Sequence, residues 1–155
     1  MEGSFTQYQV RVSAVVYGER GQLLVVRHSR HGRPFWTFPG GAPNLGESLG
    51  DAVIREVREE TGYAIEHGDV IAIGELGGNR WEPPRLEIIF RGTVNEGVPA
   101  MPHPSDEPLM AQWRSVADIE HQFAPSGVLR VATGGHDGRY LGDITEDLGE
   151  HQNED

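Results

Sequence analysis

The chain of 155 residues contains no cysteine and no lysine. Without cysteine it can form no disulfide, no thiolate metal site and no thiol nucleophile, and its composition suits a reducing compartment. Without lysine, catalysis by a lysine is excluded, and all 13 of its Lys or Arg positions are arginines. Long apolar runs are missing too: nothing approaches the ~20 residues that span a bilayer, and the opening MEGSFTQYQV has no basic segment followed by an apolar one. A soluble, cytoplasmic protein is the expectation. Positive charge is scarce, with a formal net charge of -11 at pH 7, so neither a membrane surface nor an extended nucleic-acid surface is expected. A nucleotide polyanion would be repelled at long range, and metal ions and a local arginine cluster would have to admit it. The length fits one domain with a real core. From Gly142 onward the chain holds six Asp or Glu and no arginine in a polar run, which predicts a domain over 1–141 and an acidic tail without fixed structure over 142–155.

The densest pattern lies between Gly41 and Tyr63, GAPNLGESLGDAVIREVREETGY. Leu49, Val53 and Val57 recur every four residues, no proline interrupts them, and Gly62 stands where a helix should stop, which predicts a helix from Glu47 to Thr61. On it Glu56, Glu59 and Glu60 are three and four residues apart and share one face. Such like charges destabilise a helix by a few tenths of a kcal/mol per pair, ~0.2–0.5, unless a cation neutralises them. One outcome is a hard oxygen site for magnesium, manganese or calcium, with phosphate oxygens completing the shell. The other is a solvated face laced with ion pairs to Arg55 and Arg58. The paired glycines of Pro39-Gly40-Gly41 just before this stretch allow a tight turn and a backbone carbonyl close to a ligand.

Around it, alternation over Tyr8–Val16 predicts a half-buried strand, and Leu23–Val26 a buried one paired with it. Arg27-His28-Ser29-Arg30-His31-Gly32-Arg33-Pro34 reads as a loop with exposed histidines. Arg27, Arg30 and Arg33 there either grip phosphate oxygens or decorate a solvated loop. Phe35, Trp36 and Phe38 predict a short strand into the glycine turn. Val70–Leu76 and Leu86–Val94 are further strands, and the connection between them carries Arg80 and Trp81, where the indole could stack on a base or anchor the loop. Val98–Pro108, with four prolines, predicts an irregular loop ending in Ser105-Asp106-Glu107. A strand through Ala111 and Trp113, a helix start at Ser115 with Asp118, a helix near Val128–Val131 and a return at Tyr140-Leu141 complete the chain.

Gly41, Glu47, Arg55, Glu56, Glu59, Glu60 and Gly62 stand in the spacing of the Nudix signature, and Phe38-Pro39-Gly40 matches a common lead-in, so the chain closely resembles the Nudix hydrolases (MutT-like). Only Tyr63 departs, standing where the family usually has an aliphatic residue, which predicts one weaker packing contact. The resemblance implies a single-domain α/β/α sandwich with a mixed central sheet. It implies hydrolysis of a pyrophosphate bond in a nucleoside diphosphate linked to another moiety: a nucleoside triphosphate, nucleotide sugar, ADP-ribose or dinucleoside polyphosphate. It implies magnesium, with manganese as a substitute, held by Glu56, Glu59, Glu60 and the Gly41 carbonyl. Glu47 and Arg55 then serve as supports, and Glu59, Glu60 and Glu107, or Asp106, as candidates to assist the water. Arg27, Arg30, Arg33, Arg80 and Trp81 are the candidate substrate contacts, in a monomer or homodimer. Two subgroup markers, a proline or a tyrosine shortly after the signature, fall on Asn79 and Arg80 and neither is met, so the substrate stays open. The alternative is a non-catalytic nucleotide-sensing or partner-binding module, which typically loses metal glutamates that this chain retains.

Overall fold

The computed structural model describes residues 6–80, 82–95, 110–134 and 139–144. Its elements in order are β1 (Gln9–Val16), β2 (Leu23–Arg30), β3 (Arg33–Thr37), β4 (Gly40–Gly41), α1 (Leu49–Thr61), β5 (Ile65–Leu76), β6 (Arg85–Val94), β7 (Met110–Arg114), α2 (Val116–Ile119), α3 (Ser126–Thr133) and β8 (Arg139–Asp143). A five-stranded sheet runs β4-β1-β6-β5-β8 and a three-stranded sheet β3-β2-β7. The larger sheet is mixed, since β1–β6 and β5–β8 are parallel while β1–β4 and β5–β6 are antiparallel.

Strand alternation sorts the core into two layers. Val12, Ala14 and Val16 of β1 pack with Ala52, Val53 and Val57 of α1, whereas Val15 joins Ile119, Phe123 and Val128 on the opposite side. With helices covering both faces, β1 is buried on both sides over its second half, not half-buried as alternation predicted. The expected α/β/α sandwich with a mixed sheet and a single domain is the observed architecture.

The helix begins two residues later than expected. Ser48 caps it by accepting a hydrogen bond from the Asp51 N–H at 3.0 Å, and Gly62 ends it in the left-handed conformation at φ 79°. Leu49, placed on the buried stripe by its spacing, is 37% exposed, and Ala52 fills that layer instead. Tyr63 loses no packing. Its hydroxyl accepts a hydrogen bond from Trp113 Nε1 at 3.0 Å and its ring meets that indole edge-on, tying the end of α1 to β7.

The arginine-rich stretch after Val26 is a hairpin, not a loop. β2 continues to Arg30 and pairs antiparallel with β3, with His31 (φ 51°) and Gly32 (φ 77°) forming the two-residue turn. The other end of the chain differs as well. β8 runs through Asp143, beyond the boundary expected at Leu141, and the Ile144 side chain is buried in the core. Trp81, Asp106, Glu107 and the tail from 145 onward lie outside the described residues. No helix among the described residues is long and apolar enough to cross a membrane.

Candidate active site

Two backbone features bring the glycine turn onto α1. Gly40 and Gly41 pair with Ser13 and Val12 of β1, and a Cβ on Gly40 would run into the Val12 carbonyl oxygen. A Cβ on Gly41 would occupy the place of the Glu56 carboxyl group, so the missing side chain is what lets that acid lie against the backbone.

Arg55 then organises the acids. A guanidinium has five N–H groups, and all five of this one find acceptors. Nε donates to Glu47 Oε2 at 2.9 Å, Nη2 to Glu47 Oε1 at 2.9 Å and to the Ala42 carbonyl at 3.0 Å, and Nη1 to Glu56 Oε1 at 2.8 Å and Glu59 Oε2 at 3.1 Å. Glu47 also accepts from the Asn44 N–H at 3.0 Å, which closes the loop ahead of the helix. The bidentate hydrogen bonds from Arg55, with that backbone bond, hold the Glu47 carboxyl down at about 2. The same contacts push the arginine up, fixing its charge.

Glu60 differs from its neighbours. Its Oε2 accepts from the Gly40 N–H at 3.3 Å, and burial pushes its pKa up to about 7, opposed by the nearby charge of Arg11. Arg11, on β1, makes a 3.6 Å ion pair to the buried Glu87 and donates a 3.4 Å hydrogen bond to the Phe38 carbonyl. Spacing along the chain gave no hint of either residue, because parallel register between β1 and β6 is what joins them.

An oxygen-coordinated divalent ion fits this set. Glu56, Glu59 and Glu60 are hard oxygen donors beside a glycine cradle, and each uses only one of its two oxygens in the hydrogen bonds just described. Among the described residues, no three acidic or imidazole side chains close around one point, since Arg55 draws Glu56 and Glu59 toward itself.

The candidate substrate residues separate. Cross-strand pairing of His28 with Phe35 and Arg30 with Arg33 puts these on one face of the hairpin, while Arg27, paired with Trp36, points to the other. Arg27 and Arg30 are exposed. His28, expected in solvent, is half-buried. It stacks on Phe35, its Nε2 lies 3.0 Å from Thr37 Oγ1, and burial, helped by the charge of Arg11, pushes its pKa down. Arg80 is exposed on the β5–β6 connection.

A family model described as the NUDIX domain matches residues 7–130. The chain is 29% identical over 145 residues to a MutT-like protein of Streptomyces ambofaciens, covering 86% of this chain and 87% of that one. It is 31% identical over 114 residues to the phosphatase NudJ of Escherichia coli, covering 71% and 70%. Among solved structures it resembles a NUDIX hydrolase from Nitrosomonas europaea, with a TM-score of 0.72 and 22% identity over 84% of this chain and 92% of that one. A MutT protein from Methanosarcina mazei aligns with a TM-score of 0.58 and 31% identity over 77% and 85%. With the domain match spanning most of the sequence and the glycine turn, Glu47, Arg55 and the α1 acids in one place, the chain belongs to the NUDIX family of pyrophosphohydrolases.

Proposed function

We propose that this chain hydrolyses, with magnesium, a pyrophosphate bond in a nucleoside diphosphate linked to another moiety. The observation that carries it is the glycine cradle under Glu56 together with an Arg55 saturated by Glu47, Glu56, Glu59 and the loop carbonyl. A solvated helix face needs no arginine spent entirely on holding acids in register. When bound, magnesium or its substitute manganese supplies charge neutralisation for the phosphate chain and lowers the pKa of water.

The residues of the chain supply the rest. Glu56, Glu59, Glu60 and the Gly41 carbonyl hold the ion. Arg55 and Glu47 fix the spacing of those donors, and the Gly40 N–H orients Glu60. Burial pushes the metal-free Glu60 carboxyl up to about 7, so a proton and a cation would compete for it near neutral pH. Glu59 and Glu60 are the candidates to assist the attacking water, with Glu107 a further one outside the described residues. Arg27, Arg30, Arg33, Arg80 and Trp81 remain candidates for the phosphate chain and base.

The names of similar proteins divide over substrates. One similar solved structure is that of an ADP-ribose pyrophosphatase from Streptococcus suis and another that of a UDP-X diphosphatase, at 19% and 17% identity. The test is a magnesium-supplemented screen over nucleoside triphosphates, ADP-ribose, nucleotide sugars and dinucleoside polyphosphates with products identified. Cleavage of one class to a nucleoside monophosphate is expected; binding without turnover across the panel would make the chain a sensing module instead.

A further inference from the structure

Arg55 and Arg11 are both arginines next to the α1 acids, and they are held in opposite ways. Arg55 has an acceptor for every N–H within 3.1 Å. Among the described residues Arg11 has only the 3.4 Å hydrogen bond to Phe38 and the 3.6 Å ion pair to Glu87, both at the long end of such contacts, and its side chain keeps 21% of its surface exposed. Glu87 is 7% exposed and faces Arg11 in register across the sheet. The Ser13 hydroxyl, two residues along β1 on that same face, is buried beside Glu87 without a hydrogen bond of ordinary geometry. A 3.6 Å ion pair that buries the Glu87 carboxylate repays little of its desolvation cost, so stability alone does not account for it. The Phe38 carbonyl that touches Arg11 lies two residues before the Gly40 N–H that holds Glu60, which fixes the cation at the Glu60 end of the site.

We propose that Arg11 is a substrate-positioning residue, anchored from below by Glu87, whose unused guanidinium donors meet a phosphate oxygen of the substrate beside Glu60. The assignment rests on the hydrolase function proposed above. In a chain with a net charge of -11 and no lysine, a cation next to Glu60 is what an incoming phosphate chain needs there, since Arg55 has no donor left and Arg58 lies on another face of α1. Glu87 keeps the guanidinium from collapsing onto Glu60, which would neutralise the acid the ion requires.

The test uses Arg11→Gln, Arg11→Lys and the double variant Arg11→Gln/Glu87→Gln, which removes the buried Glu87 charge along with its partner and so should fold even if the single change does not. Two readouts are taken: KM and kcat on whichever substrate the wild type cleaves, and calorimetric binding of methylenediphosphonate with magnesium, a probe without a base or a cleavable bridge. Loss of a charge-assisted contact should raise KM and weaken the probe by about tenfold or more in the Gln variants, with kcat less affected and Arg11→Lys intermediate. Unchanged KM and probe affinity in a folded double variant would overturn the role of Arg11 while leaving the hydrolase function standing. A wild type that neither cleaves the panel nor binds the probe would fail the function itself.

Discussion

At the scale of single residues the site turns on how differently Glu60 and Glu47 are held. Glu60 releases its proton near 4.5 when unfolded and at about 7 when folded, so between those values the native state binds more protons. The stability of the metal-free protein should therefore fall as pH rises through that window, by on the order of 3 kcal/mol at most, and level off above it. Buried Glu87 is shifted the same way. The clean comparison is thus Glu60→Gln against wild type: thermal melts of metal-free protein should show a shallower decline in the variant, and parallel curves would deny the shift. Glu47 works in another window, its stabilisation being complete above 4.5 and lost as pH falls toward about 2. Replacing Glu59 or Glu60 by Gln should cut turnover by roughly a hundredfold or more with the fold retained, measured by initial rates and circular dichroism. Glu56, Glu59 and Glu60 were legible in the sequence because one helix carries them all, and helical period alone fixes their common face. Arg11 and Glu87 were not, since 76 positions of chain separate residues that only strand register brings together.

The elements carry the next level of constraint. Gly41 lies in a two-residue strand whose bare backbone is the seat of the Glu56 carboxyl. Gly41→Ala should lower kcat about tenfold or more by displacing that donor, while changing the melting temperature little; full activity would show the cradle to be incidental. Gly62 is a different kind of glycine, required by its left-handed φ of 79° and not by close approach. Gly62→Ala should cost about 1 kcal/mol in denaturant unfolding and leave KM alone. The helix was readable because cap, apolar spacing and stop agree. The β2–β3 hairpin was not: past Val26 the strand leaves the core, its residues become Arg, His and Ser, and the polar run looks like a loop. Its turn signal, His31-Gly32, lacks the usual Asn-Gly or Asp-Gly composition. β5 was truncated for the same reason, because its first half, Glu66-His67-Gly68-Asp69, is exposed and the register shifts on either side of Val70.

Over the whole molecule the two core layers lie on opposite sides of the larger sheet, α1 with its acidic face on one side and α2 and α3 on the other. The end of β8 belongs to the second layer: Ile144 packs over Gly74, and its N–H donates to the Glu75 carbonyl at 2.8 Å. Ile144→Ala should accordingly destabilise the protein by roughly 2–5 kcal/mol in chemical denaturation without raising KM. Composition could not reveal this, since a lone isoleucine among acidic and glycine residues has the profile of a tail. The fold class was open to inspection because the signature is a dense local pattern, whereas the chain's last contact is a single long-range one. The proposed function depends on a divalent ion held among the α1 acids, and the most direct measurement is manganese binding to the metal-free protein, counted by electron paramagnetic resonance in wild type and in Glu56→Gln/Glu60→Gln. At least one tightly held ion is expected in the wild type and its loss in the double variant. Equal binding by both proteins, or none by the wild type while hydrolysis continues, would contradict the account.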